Sequence, residues 1–272
     1  MKKLEVSIEK LFEANAHLGH QASRWNPKMA KFVYGTENGI HLFDLAKTVT
    51  ALEEAVAMIK KQISEGKKIV FVSTKKQFEG QVVAMAKGLG QYFVQERWLG
   101  GTLTNFNQIK RSIDKLAEMK KTKADSGYMH FTKKERVLLD REMTRLERVV
   151  GGLTGLSAVP DTMFIFNLKD NKGAAMEAKR SGVYTIGICD SNADPDSVDL
   201  AIPMSDDSAD AIQYILSLLT ASEQPSSPTR SGIHTNDEAT PSGKTTGSRV
   251  PPIRRAGKHG MTTKKTVKKT VK

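Results

Sequence analysis

The run Ile69-Val70-Phe71-Val72 has no polar position. A strand with one wet face alternates apolar and polar residues, so an unbroken apolar run of this length reads as a strand covered on both sides. Strands of that kind sit in parallel sheets, and parallel strands are joined by long crossovers, usually helices. The flanking sequence supplies the helices. Asp44 can cap one in which Leu45, Val49, Leu52, Val56, Ile59 and Ile63 recur every three or four residues, with Gly66 closing it. After the apolar run come a helix over 77–87 and a short strand at Tyr92-Phe93-Val94. The rhythm resumes with a strand at Met163-Phe164-Ile165-Phe166, a helix over 171–180 and a strand over 183–189. Leu200-Ala201-Ile202 and an amphipathic helix over 208–220 complete it. The expectation is an α/β fold with a parallel sheet and helices on both faces.

The rhythm breaks once, between 105 and 150. Ile109, Ile113, Leu116 and Lys120 follow one another at intervals of four, three and four, as do Leu139, Met143, Leu146 and Val150. A polar turn around Asp125-Ser126-Gly127 separates them, and Thr132 with Glu135 makes a capping box for the second helix. The spacing predicts an antiparallel coiled-coil hairpin. Its other faces carry Lys110, Arg111, Lys115, Lys120, Lys121, Lys123, Lys133, Lys134, Arg136, Arg141, Arg145 and Arg148, and Gly151-Gly152 end it. Before the sheet, Ser7 can cap a helix with Ile8, Leu11 and Phe12 on one face and Leu18 near its end. Residues 19–31 read as a loop. Phe32-Val33-Tyr34 and Ile40-His41-Leu42-Phe43 flank Asn38-Gly39, a strong hairpin signal.

Charge divides the chain in three. Residues 1–180 hold 31 Lys and Arg against 20 Asp and Glu, 181–229 hold 8 acids and no Lys or Arg, and 230–272 hold 11 basic residues against 2 acids. The net charge of +12 and pI near 9.6 point to a polyanionic partner, with the acidic strip turned to water or to a basic partner. From residue 223 the chain is Ser, Thr, Pro, Gly and Lys with almost no bulky apolar residues, and is expected to be a disordered basic arm. The domain reading is therefore 1–104 and 151–222 as the α/β domain, with 1–43 its amino-terminal helix, loop and hairpin. Residues 105–150 form a helical insertion and 223–272 a tail.

Several kinds of chemistry find no pattern. No apolar run approaches the ~20 residues that span a bilayer, and the start lacks the apolar stretch of a signal peptide. The single cysteine, Cys189, excludes an internal disulfide framework. No G-x-G-x-x-G follows a strand, and Gly243-Lys244-Thr245 lacks the earlier glycine of a phosphate-binding loop. His17 and His20 read as polar groups at a helix end, without an obvious carboxylate partner. Asp190, Asp194, Asp196, Asp199, Asp206 and Asp207 read as solvated turn residues rather than metal ligands. No catalytic, cofactor or metal residue is expected.

What is present suits RNA. Arg24-Trp25-Asn26-Pro27-Lys28 through Lys31 sets an aromatic among cations, fit for phosphates and an unstacked base, although Trp25 has a core role as its alternative. In Arg97-Trp98-Leu99-Gly100-Gly101-Thr102-Leu103-Thr104-Asn105 a Gly-Gly turn feeds a helix start, where free N–H groups favour a phosphate; Trp98 itself reads as a core anchor. The candidate RNA-binding residues are Arg24, Trp25, Lys28, Lys31, Lys75, Lys76, Arg97, Asn105, Lys110, Arg111, Lys115, Lys133, Lys134, Arg141 and Arg145. The rival reading is a nucleotide-binding protein or enzyme on the same fold.

These segments carry a resemblance. His17-Leu18-Gly19-His20-Gln21 with Trp25-Asn26-Pro27-Lys28-Met29, then 97–105, then 153–161, then Asp190-Ser191-Asn192-Ala193-Asp194-Pro195 with Val198-Asp199 and Ile202-Pro203, resemble, in order, the signatures of bacterial small-subunit ribosomal protein S-two. Met204-Ser205-Asp206-Asp207 departs from that family's Gly-Asn-Asp-Asp-like run. The resemblance implies a flavodoxin-like domain without a cofactor, carrying a helical hairpin. It implies a cytoplasmic, ribosome-associated protein on 16S ribosomal RNA near the head–body junction. It also implies neighbouring ribosomal proteins as partners, among them ribosomal protein S-one, and neither membrane attachment nor homo-oligomerisation.

Overall fold

Five strands form the central sheet of the computed structural model, which describes residues 6–125 and 130–221. They are β4 (Ile69–Val72), β5 (Tyr92–Val94), β6 (Thr162–Ile165), β7 (Tyr184–Cys189) and β8 (Leu200–Pro203), all parallel, in the order β5-β4-β6-β7-β8. All four residues of β4 and of β6 are buried, as the apolar runs Ile69–Val72 and Met163–Ile165 require. Alternate residues feed two separate cores. Ile69, Phe71, Phe164, Phe166, Ile186 and Ile188 face α1 (Ile8–Glu13), α2 (Leu45–Ser64), α3 (Glu79–Gly88) and α7 (Ala209–Thr220). Val70, Val72, Met163, Ile165 and Cys189 face α4 (Phe106–Ala124), α5 (Lys133–Val150) and α6 (Lys172–Ser181). The fold is thus the expected α/β sheet with helices on both faces. On the first face Phe71, Phe164, Phe166 and Phe78 form a chain of tilted rings, with Phe164 and Phe166 centroids 4.7 Å apart. Each such ring contributes on the order of 1.5–3 kcal/mol by burial.

The helices follow their sequence signals closely. Asp44 caps α2 by accepting from Ala46 N at 3.1 Å, and Gly66 just past its end adopts φ +71°. Thr132 and Glu135 form the capping box of α5. The helix of 77–87 begins two residues later, at Glu79, after a turn. Helices α4 and α5 pack against each other, and Ile109, Ile113, Leu116 and Val150 join the same core as the sheet. The two helices are therefore rooted in the α/β body. The turn at Ser126-Gly127 and the tail from residue 223 lie outside the described residues.

The amino-terminal segment departs from its expected form. Helix α1 is six residues long and buries Leu11 alone; Ile8 and Phe12 are 50% and 59% exposed. Leu18 does not belong to it. Residues 18–21 form a strand, β1 (Leu18–Gln21), which pairs antiparallel with β3 (Ile40–Phe43), itself paired with β2 (Val33–Glu37). Much of the rest of the expected loop is 3₁₀ helix, at Ala22–Arg24 and Pro27–Phe32. Gly-His-Gln gives no alternation because β1 packs on a polar surface. His20 N donates to Ser191 Oγ at 2.8 Å, and Asn26 N to Ser191 O at 2.7 Å. A Cβ at Gly19 would stand 3.1 Å from both His41 O and Ser191 Oγ, so any side chain there would press on both. The Asn38-Gly39 hairpin is as expected, with both residues at positive φ, 52° and 77°.

The two glycines after α5 differ. A Cβ on Gly152 would run into the carbonyl oxygen and ring of Phe93 on β5, whereas one on Gly151 meets only the flexible Glu147 side chain, at 3.3 Å. Gly152→Ala is expected to cost about 1–3 kcal/mol, read as a lowered urea midpoint at unchanged slope. Gly151→Ala, at a helical φ of −58°, should fall well short of that. Equal midpoints for the two variants would contradict the close approach.

Candidate nucleic-acid interface

The cationic amino-terminal loop is held by its own chain. Asn26 Oδ1 accepts from Lys28 N at 3.1 Å and starts the 3₁₀ turn with Pro27. That geometry turns Lys28 towards the loop after β7, where its Nζ lies 3.0 Å from both Asp194 and Asp196. Lys31 reaches Asp196 at 3.9 Å. Trp25 is 37% exposed and lies over His41, with ring centroids 4.8 Å apart. Arg24 is exposed and has no acidic partner among the described residues. Of this group, Arg24 and Trp25 stay available, while Lys28 already has two carboxylates.

The Gly-Gly turn overturns one expectation. The N–H groups of Gly101, Thr102, Leu103 and Asn105 are not free for a phosphate. Glu177, from α6, accepts from Gly101 N at 2.7 Å and Leu103 N at 3.2 Å, with Trp98 Nε1 at 3.4 Å. Thr102 N and Asn105 N donate to Leu99 O and Gly101 O. A carboxylate of the chain itself takes the place of the anion. Trp98 is 9% exposed, the anchor the sequence suggested. Arg97 and Asn105 are exposed at either end of the turn.

Along the helix pair the cations separate into two sets. Lys115–Glu142 (3.0 Å), Lys120–Glu147 (2.6 Å) and Lys123–Asp140 (2.8 Å) tie α4 to α5, and Arg145 stands 3.7 Å from Glu142. Lys110, Arg111, Lys133, Lys134 and Arg141 are exposed without an acidic partner among the described residues.

The acidic strip is the largest surprise. Asp196, Asp199 and Asp207 are exposed and Asp194 caps a 3₁₀ turn, as solvated turn residues do, but the strip also runs inward. Asp190 and Asp206 are 1% and 3% exposed. Asp190 accepts from Ser191 N and Asp206 N and pairs with His20 Nδ1 at 2.9 Å. His20 Nε2 faces Asp207 at 3.6 Å, so this histidine, on β1 rather than at a helix end, has two carboxylate neighbours. Lys75, expected to face RNA, places its Nζ 2.6 Å from both Asp206 and Asp207. Lys76 beside it is exposed and without an acidic partner among the described residues. The ligand atoms of His20, Asp190 and Asp207 lie within 4.8 Å of one another, a nitrogen–oxygen set that could hold a divalent cation. Glu177 and the His20–Asp190 pair escape sequence reading because nothing local marks them; their partners are scores of residues away.

The cluster sets a pH dependence. The hydrogen bond to Asp190 raises the pKa of His20 above 6.5, against burial. Burial, then the charge of Asp190, pushes Asp206 up to about 6, against Lys75. Lys75 loses by burial but gains more from the two carboxylates, so it stays charged. A raised folded pKa means the folded chain binds the proton more tightly than the unfolded one. Both His20 and Asp206 therefore stabilise at low pH and lose that contribution as pH rises through their folded values. With a chelator present, the melting temperature should fall between about pH 5 and about pH 8, and the fall should shrink in the His20→Gln, Asp206→Asn double variant. An undiminished fall would remove the cluster as its source.

The family model for ribosomal protein S2 matches residues 11–225. The small ribosomal subunit protein uS2 of Methylobacterium nodulans is 42% identical over 215 residues, which is 79% of this chain and 61% of that protein. The chain thus spans about three fifths of that relative's length. The matched region takes in the signature segments around His17, Trp98 and Asp190 and both faces of the sheet. The chain belongs to the ribosomal protein S2 family.

Proposed function

We propose that this chain is a structural constituent of the small ribosomal subunit, not an enzyme. It binds 16S ribosomal RNA near the head–body junction and helps seat ribosomal protein S-one. Family membership carries the reading, and the sorting of the cations supports it. Arg24, Lys76, Arg97, Lys110, Arg111, Lys133, Lys134 and Arg141 are exposed without an acidic partner among the described residues. Such cations exchange counterions for phosphates, and the release of those counterions drives much of nucleic-acid binding. Trp25, half turned to solvent beside Arg24, offers a face for an unstacked base. In this reading the helix pair is a coiled-coil arm that carries the cations out from the body.

The rival reading, a nucleotide held at the carboxyl edge of the sheet, meets an obstacle. In open parallel sheets the ligand enters where strand order reverses, here between β4 and β6. Polar side chains there bond to one another, at the edge of an open pocket of about 410 Å³ that Thr74, Asn171 and Glu177 line. Thr74 Oγ1 accepts from Asn167 Nδ2 at 2.6 Å and Asn171 Nδ2 at 3.1 Å, and Asn171 Nδ2 also reaches Asn167 Oδ1 at 2.8 Å.

Two measurements test the proposal. In a sucrose gradient of lysate at moderate salt, the chain should travel with small subunits at about one copy each; recovery among free proteins would end the structural reading. Reversing charge at Lys110, Arg111, Lys133 and Lys134 together should weaken binding to a 16S ribosomal RNA transcript. It should also flatten the plot of log affinity against log salt by roughly 0.7–0.9 for each phosphate that is no longer neutralised. Reversing Lys115 and Lys120, which already have carboxylates, should flatten it less. An identical slope for the two sets would refute the assignment.

A further inference from the structure

On the outer side of α5, Arg141, Arg145 and Arg148 recur at i, i+4 and i+7, so they share one face. They line an open groove of about 510 Å³ together with Thr144 and Glu96. At 1.5 Å rise per residue the three arginines extend over about 10 Å, long enough to face more than one phosphate of a strand. Arginine forks match phosphate oxygens two at a time, as they do carboxylates, and a row of three suits the repeated charges of a nucleic-acid backbone.

Two members of this row already face carboxylates, Arg145 at 3.7 Å from Glu142 and Arg148 more closely. Arg148 Nε donates to Glu96 Oε1 at 2.8 Å. Glu96 follows β5 and takes up a backbone shape that disfavours it. Its φ is +55°, and Arg97 N closes on Gln95 O at 2.6 Å around it. A residue other than glycine in that region is strained, and a three-residue turn of that hand is uncommon. The fold nevertheless keeps a glutamate there, with its carboxylate on the arginine row and Arg97 exposed next to it.

Resting on the RNA-binding reading above, the geometry points to Arg141, Arg145 and Arg148 as a track for an RNA phosphate backbone. Glu96 is its internal competitor, displaced from Arg148 when a phosphate arrives. The carboxylate holds the last arginine in place before RNA binds, and it sets a threshold that weakly held anions do not pass. The Glu96–Arg148 pair is partly exposed, with side chains 34% and 62% accessible. A pair of that kind is weak, so a run of backbone phosphates, each carrying one charge like the carboxylate, can replace it.

The test uses the full chain and a 16S ribosomal RNA transcript, with affinity measured over a range of salt. Glu96→Gln should tighten binding roughly two- to five-fold, the size of an exposed ion pair. Arg148→Gln should weaken binding and lower the salt slope by roughly 0.7–0.9, the equivalent of one phosphate. The two changes together should bind like Arg148→Gln alone, because the competitor matters only through that arginine. Glu118→Gln, on the other helix, controls for the loss of any negative charge and should gain less than Glu96→Gln. Equal gains for Glu96→Gln and Glu118→Gln, or a gain that survives without Arg148, would overturn the competitor. If the Lys110, Arg111, Lys133 and Lys134 reversal weakens RNA binding while Glu96→Gln changes nothing, only this inference fails. If the unaltered chain does not bind the transcript, the RNA reading fails with it.

Discussion

A parallel sheet with both faces dry leaves its strands nowhere to put a polar side chain except at their ends. Everything else in this protein follows that constraint. Burying Ile69, Phe71, Phe164 and Phe166 on one face and Val70, Val72, Met163 and Ile165 on the other demands helices on both sides. Helices α1, α2, α3 and α7 cover the first face; α6 and the roots of α4 and α5 cover the second. The polar groups then gather at the carboxyl ends of β4, β6, β7 and β8, and there the molecule places its Thr74–Asn167–Asn171 network and its buried aspartates.

Those aspartates explain how a basic chain sorts its charge. Asp190, Asp194, Asp196, Asp206 and Asp207 could not be buried or crowded without cations. His20, Lys28, Lys31 and Lys75 supply them from the amino-terminal layer and from the loop after β4. Glu177 does the opposite service at the Gly-Gly turn, where a carboxylate satisfies N–H groups that would otherwise invite an outside anion. Internal pairing thus withdraws several cations, and part of one anion-binding turn, from the surface. What is left outward on the helix pair and beside Trp25 is the set suited to a polyanion.

The segments legible in the sequence were those with a local cause. Continuous apolar runs marked β4 and β6, and Thr132 with Glu135 marked the start of α5. Asn38-Gly39 marked the hairpin because few other residue pairs tolerate positive φ twice in succession. Strand β1 was not legible. Its Gly19, His20 and Gln21 pack on the Ser191 loop, a polar surface, so no apolar alternation was needed to hold them.

By itself the sequence determined the order of strands and helices in the parallel-sheet domain, the place of the helix pair and the overall sign of the charge, because periodicity, caps and composition act over a few residues. Only the tertiary structure decided which cations face outward. A parallel sheet brings together residues as distant as Lys28 and Asp194 or Lys75 and Asp206, and Glu177 with the turn at Gly101. Those pairings are set by the order β5-β4-β6-β7-β8, and no window of sequence contains that order. The physical reason is that the ends of parallel strands converge in space while the helices between them keep them far apart along the chain.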